Sequence, residues 1–420
     1  MKRSDLIRDL RLPEAAAEQL NAWKFSAAAG FDESCEVPDA ELLRQTVGAW
    51  QCAETLLEEL TVLADTVRQT EALRRWFFFR QKLHFFDITP QVVGEKEIPK
   101  LTELLGAAGD AQFNLLLALS AHSLRCATYR KLGVPEKYAV APLAALELTA
   151  NEFKKTHGFF GFPVGLLHWS SHYVAGRLFR IGRLEYMPRE PPPLLPAGFR
   201  HRRSRKIVLL ARDGWLFNAA GLRLGPDESP AGAAFRSRIY GVPGGLAGTP
   251  IDPRGFARIG ERFTVLDAEY EPLYLPWSFT AEIHIPGGGG MTMDLCKESL
   301  REAQWFFPRY LGRQVEFFWC ASWVLNPELA RELPESNIAA LQSRCYLTPH
   351  YATPDAGLNF VFGRTDGDWL KYPTDNSLRR AFHRIIARGE RLRSGAMMID
   401  KAGADAFKPG FYQLQSEGKS

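Results

Sequence analysis

Glu282 and His284 stand two residues apart, which puts a carboxylate and an imidazole on the same side of an extended chain. Such a pair can accept a proton or hold a substrate, the imidazole being poised near neutral pH. The polar outer face of a half-buried strand would carry the same two residue types. Pro286 follows, then Gly287, Gly288, Gly289 and Gly290 in an unbroken run before the segment MTMDLCKESLREAQWFF. Four glycines at the mouth of a helix let bare backbone N–H groups approach an anion, where the helix dipole also favours negative charge. The same run also suits a flexible turn, so the two readings stand side by side.

The flanking elements must position these groups. In SFTAEIHIP, Phe279, Ala281, Ile283 and Ile285 alternate with Thr280, Glu282 and His284, which predicts a half-buried strand over 279–285. After the glycines, Cys296, Leu300, Ala303 and Phe307 form one helical stripe facing a core. VEFFWCASWVL (315–325) then predicts a second, apolar strand, with Glu316, Phe318, Cys320 and Ser322 on one face and Val315, Phe317, Trp319, Ala321 and Trp323 on the other. A strand–helix–strand crossover makes the two strands parallel and the connection right-handed. Ligands of such a sheet bind beyond the C-terminal strand ends, where His284 and Ser322 both fall. Ser322 could hydrogen-bond there, but no GxSxG elbow makes it a nucleophile, and Cys320 reads as core packing.

The first ~160 residues read as helical, with stripes over Glu41–Arg68, about 111–132 and about 135–156, the last ending before Gly158. Short β-type runs follow. The connector MPREPPPLLP (187–196) is not expected inside a sheet, and 221–260 reads as long loops. Beyond the second strand come a helix within 327–345, β-type segments at 345–351 and 358–364, a helix over 377–388, and a polar tail.

Bulk properties narrow the function classes. An apolar fraction of 46% and a charged fraction of 24% are those of a folded globular chain, which argues against disorder. A net charge of +4 is too balanced to imply nucleic-acid binding, and the basic run His201–Lys206 reads as a solvated loop. The charged N-terminus has no signal-like apolar region, and no stretch reaches the roughly 18 uncharged apolar residues of a membrane span. Six cysteines (35, 52, 126, 296, 320, 345) contain no CxxC pair and suit reduced thiols, so a cytoplasmic protein with no membrane partner is expected. His168 and His172 have metal-compatible spacing, but Trp169 occupies the place of the HExxH glutamate, and no metal is expected. No P-loop occurs, and no ribose-binding acid follows the glycines at dinucleotide-fold spacing.

With these elements placed, EIHIPGGGGM, SLREAQWFF, FFWCASWVLNPEL and LPESNIAALQ resemble a family of bacterial acyltransferase-like proteins that pair a helical N-terminal domain with a GNAT-like C-terminal domain. The resemblance implies an α+β fold: a helical domain over 1–164, a GNAT-like mixed sheet with flanking helices over 165–395, and a tail over 396–420. It implies transfer of an acyl group, acetyl in the first instance, from acetyl-CoA or another acyl-CoA to a small-molecule or amine acceptor by direct attack. A degenerate, non-catalytic acyl-CoA or metabolite-binding module is the alternative. In the superfamily the fourth strand bonds the pantetheine, and the splay beside the fifth admits the thioester; those strands would be 279–285 and 315–323. Ile285, Gly287, Gly288, Gly289, Gly290 and Met291 would face the cofactor. His284 or Glu282 would be the base, and Tyr346 either the acid for the leaving thiolate or a core residue. Ser322, Trp323, Ser336 and Asn337 would orient the acceptor. One departure stands out: His284 occupies the position, three before the first glycine, where the superfamily carries Gln or Arg.

Overall fold

The computed structural model describes residues 2–16, 37–51, 53–86, 98–351, 353, 356–365 and 368–417. The chain forms two compact units, Met1–Ile181 with Pro286–Gly289, and Gly182–Ile285 with Gly290–Ser420.

The first unit is helical: α1 (Arg3–Asp9), α2 (Ala40–Val47), α3 (Ala53–Gln69), α4 (Glu71–Gln81), α5 (Thr102–Lys131), α6 (Glu136–Val140), α7 (Leu143–His157) and α8 (Leu167–Val174). The single stripe over Glu41–Arg68 is divided between α2 and α3, because the chain turns at Gly48. There a Cβ would meet the Arg44 carbonyl oxygen at 2.4 Å. Gly158 closes α7 in the left-handed region at φ 85°, the conformation glycine adopts without strain. The long α5 breaks at Gly106 (φ 71°) and then buries Phe113, Leu115, Leu116, Leu117 and Leu119 in the core of the unit. It is long and apolar enough to cross a membrane by length and composition, as core helices often are, and 56% of its most apolar window is buried.

The second unit carries five strands of a six-stranded sheet, β2 (Leu184–Arg189), β3 (Thr280–His284), β4 (Phe317–Ser322), β5 (Tyr346–Pro349) and β6 (Gly395–Asp400), and β1 (Phe179–Ile181) ends the first unit's stretch of chain. The strand order is β1-β2-β3-β4-β6-β5. β3 and β4 are parallel, joined through helix α9 (Met293–Leu311), as the sequence predicts. The buried stripe of α9 includes Cys296, Leu300, Ala303 and Phe307, and Phe307 meets Tyr186 edge to face at 6.3 Å. The opposite sheet face, through Phe317, Trp319, Tyr346 and Met398, shares a core with three of the four small antiparallel sheets formed within residues 197–272. The unit is completed by α10 (Pro327–Glu332), α11 (Asn337–Gln342), α12 (Leu358–Phe362) and α13 (Ser377–Ala387), and α14 (Lys401–Ala406) and α15 (Phe411–Glu417) follow β6.

Three expectations are corrected. Residues 358–364, read as β-type, form α12, one helical turn closed by Gly357 and Gly363 at φ 84° and 73°. Five residues are too few for periodicity to separate the two states. The polar tail over 396–420 contains β6, all six of whose residues are buried between β4 and β5. GAMMID does not alternate because both of its faces are covered. Finally, β2 runs through Pro188, which pairs in register with Ala281, although a proline there was expected to end pairing. Its other neighbour, β1, is only three residues long, so Pro188 lies where the sheet is effectively an edge. Cys126, Cys296, Cys320 and Cys345 are free thiols, and Cys35 and Cys52 lie outside the described residues.

Candidate functional site

β3 and β4 pair through Ala281↔Phe318 and Glu282↔Trp319, and their register ends there. Both strands continue. β3 is held to its end by β2, with His284 opposite Glu185, and β4 by β6, with Ser322 opposite Gly395. The two parallel strands therefore part toward their C-terminal ends and open a wedge. Past Glu282 and Trp319 the two strands form no further register pair, so a polar, chain-like ligand could enter between them.

Register puts Arg189, Glu282, His284 and Trp319 on one face of the sheet. Arg189 Nη1 donates to Glu282 Oε2 at 2.7 Å, and His284 Nε2 lies 3.8 Å from the same oxygen. Burial pushes the Glu282 carboxyl above its ordinary value, while the hydrogen bond and charge of Arg189 pull it back. Arg189 is itself placed by Trp319, whose ring centroid is 5.8 Å from the guanidinium carbon. Trp319 Nε1 donates to Thr280 Oγ1 (3.1 Å), and Thr280 Oγ1 donates to the Arg189 carbonyl (2.7 Å). Beside His284 on the same face is Glu185, only 3% exposed. A carboxylate shared between a guanidinium and an imidazole can orient the ring and stabilise the imidazolium formed on proton uptake.

The glycine loop leaves the end of β3. Gly288 and Gly289 have φ of 72° and 61°, a backbone only glycine adopts freely. A Cβ at Gly287 or Gly288 would lie 3.2 or 3.0 Å from Leu148, whereas at Gly289 nothing lies within 4 Å. Half of the loop is thus backed by a side chain, and half is open. Thr292 caps α9, accepting from the Leu295 N–H at 3.4 Å. Arg183, in the turn between β1 and β2, donates to the Gly290 carbonyl at 3.3 Å and brings a cation to the loop. Asp294, in the first turn of α9, opposes it with a negative charge.

Ile285 and Met291 bracket the loop, both partly buried. Ser322 ends β4 as expected, but its place in the register puts it on the face opposite Glu282 and His284. Trp323 follows in a short 3-10 turn and stacks on Phe360 at 6.3 Å. Ser336 and Asn337 are not brought to the wedge by any contact. Ser336 caps α11, accepting from the Ala339 N–H at 3.2 Å, and Asn337 is the exposed first residue of that helix. Tyr346 is core: 4% exposed, its hydroxyl donates to the Ile251 carbonyl at 2.7 Å, and β4 and β6 lie between its strand and β3. Burial raises its phenol well above the ordinary range, which does not suit proton donation near neutral pH. His168 and His172 meet edge to face at 4.9 Å, and no cluster of three metal-ligating side chains occurs among the described residues.

Sequence reasoning missed Arg189, Glu185 and Arg183. The signal is the i, i+4 placement of Glu185 and Arg189 along one strand face, hidden because the connector MPREPPPLLP (187–196) is not expected inside a sheet.

Residues 178–398, more than half of the chain, match the family model described as GNAT-like C-terminal domain. The chain belongs to that family. Two solved structures share its fold. One is an acyltransferase mutant in complex with octanoyl-CoA, 18% identical, with a TM-score of 0.62 over 95% of this chain and 99% of that one. The other is an acyltransferase in complex with decanoyl-CoA and teicoplanin, 19% identical, with a TM-score of 0.61 over the same shares. Comparison with curated proteins gives no match.

Proposed function

We propose that this GNAT-like protein transfers an acyl group from an acyl-CoA to a small-molecule acceptor by direct attack on the thioester. The observation that carries this reading is the wedge between β3 and β4, which opens at the strand ends beside the glycine loop. The pantetheine would lie along the wedge between β3 and β4. The pyrophosphate would sit on the open side of the loop at Gly289 and Gly290, and Arg183 would supply the cation that position 284 lacks. The fold neighbours were captured with octanoyl-CoA and decanoyl-CoA, which supports a medium-length acyl chain over the acetyl group first expected. The neighbour holding teicoplanin supports an acceptor that is a small molecule rather than a protein.

In this scheme the acceptor's lone pair forms a bond to the thioester carbonyl carbon, and the carbon–sulfur bond breaks to release the CoA thiolate. The proton lost by the acceptor passes to His284, directly or through water, and on to the thiolate. Glu282, held by Arg189, keeps the imidazole oriented and stabilises its charged form. The test follows free thiol released from decanoyl-CoA and from acetyl-CoA with teicoplanin or a panel of primary amines. The reading expects acceptor-dependent release, faster with decanoyl-CoA, that is lost in His284→Ala. Saturable acyl-CoA binding without release under any acceptor would establish the non-catalytic module instead.

A further inference from the structure

The first unit carries a partly open cleft of about 220 Å³, lined among others by Arg80, Asn114, Phe153, His157, Phe159 and Phe162. Arg80 is 2% exposed, so its charge has been taken out of water. A buried cation is costly unless a counter-charge meets it. Yet its partners are neutral: Nε donates to His84 Nε2 at 3.2 Å and Nη2 to Asn114 Oδ1 at 2.9 Å. His84 accepts through that nitrogen and is held neutral, burial and the Arg80 charge driving its ring well below the ordinary value. The nearest acid is Asp110, which accepts from the Leu101 N–H at 2.7 Å and forms no ion pair with Arg80 among the described residues. Lys100 and His157 add to the basic side of the lining.

The hydrogen bonds occupy one edge of the guanidinium. Nε and Nη2 face His84 and Asn114, which leaves the terminal edge, Nη1 with the second Nη2 hydrogen, without a protein acceptor among the described residues. That edge matches a carboxylate in the bidentate geometry. Phe153, Phe159 and Phe162 give the lining aromatic surface and Ile98, Ala111 and Val164 aliphatic surface, and a volume of roughly 150 Å³ already suffices for a benzene ring. We infer that this cleft binds a small aromatic or alicyclic monocarboxylate, its carboxylate paired with Arg80 and its ring against the Phe153, Phe159 and Phe162 side of the lining. A multiply charged oxyanion fits less well, because Asp110 shares the cleft and much of the lining is apolar.

Thermal denaturation of the full chain, with sodium benzoate as the probe, tests this. The inference expects a saturable rise in Tm with benzoate and none with the isosteric neutral benzamide or with inorganic phosphate. Arg80→Met should keep or raise the Tm of the ligand-free protein, since it removes an uncompensated buried charge, and should weaken benzoate binding at least tenfold. Val164→Phe, which adds bulk to the lining and keeps Arg80, should block benzoate as well. No shift at tens of millimolar benzoate, an equal shift with benzamide, a preference for phosphate, or benzoate binding retained in either variant would overturn the assignment.

Discussion

β4 has two neighbours and treats them differently. Toward β6 it is zipped over its whole length, from Phe317↔Asp400 to Ser322↔Gly395. Toward β3 it is zipped only at Ala281↔Phe318 and Glu282↔Trp319. The closed side is antiparallel, buried on both faces and built from Ala396, Met397, Met398 and Ile399. On the open side β3 carries Glu282 and His284 and then runs into Pro286, which has no N–H to give, and the glycines. Apolar cross-strand pairs hold one seam shut, while polar side chains and the early end of pairing leave the other free to take a ligand. One strand thus serves as both the centre of the core and the wall of a site.

That contrast can be broken from either side. On the open side, His284→Ala should lower acceptor-dependent acyl transfer by about 10²–10⁴, the usual range for a lost general base, with the melting temperature little changed. On the closed side, Met397→Ala removes a side chain that is 1% exposed and should cost about 2–5 kcal/mol of stability in denaturant titration, with acyl-CoA affinity preserved. If Met397→Ala instead weakened acyl-CoA binding as much as stability, the two seams would not be independent.

Arg189→Gln sharpens the electrostatics of the open side. Burial already raises the Glu282 carboxyl, and losing Arg189 should raise it further, moving the acid limb of the pH–rate profile to higher pH. A carboxyl raised in the folded state contributes stability at acid pH that is lost as pH rises through its folded value. The deficit of Arg189→Gln relative to wild type should therefore be smaller near pH ~4 than near pH ~7 in paired melts. The smallest effect belongs to Ser336→Ala. A lost helix cap costs roughly 0.5–2 kcal/mol, and the acceptor KM should not move, because Ser336 is engaged with its own helix.

Much of the frame was legible in the chain. Alternation over 279–285 and the stripe Cys296–Leu300–Ala303–Phe307 gave the strand and the helix, and their spacing gave a parallel crossover, because side-chain periodicity reports burial directly. β6 was not legible, since a buried run of six residues has no period to read. Arg189 reaches Glu282, and Glu185 stands opposite His284, across a strand boundary roughly a hundred residues away in sequence, a pairing set by register rather than by any local signal. Tyr346 and Ser336 show the converse: residue types suited to chemistry that the fold spends on a buried hydrogen bond and a helix cap.

The central claim, that the wedge and its glycine loop hold an acyl-CoA, is tested most directly by calorimetric titration of decanoyl-CoA into the full chain and into Gly288→Val. At φ 72° and 3.0 Å from Leu148, a side chain at position 288 must distort the loop. Saturable binding in the wild type that weakens at least tenfold in a folded Gly288→Val protein is the predicted result. No binding at millimolar decanoyl-CoA, or equal affinity in the variant, would contradict it.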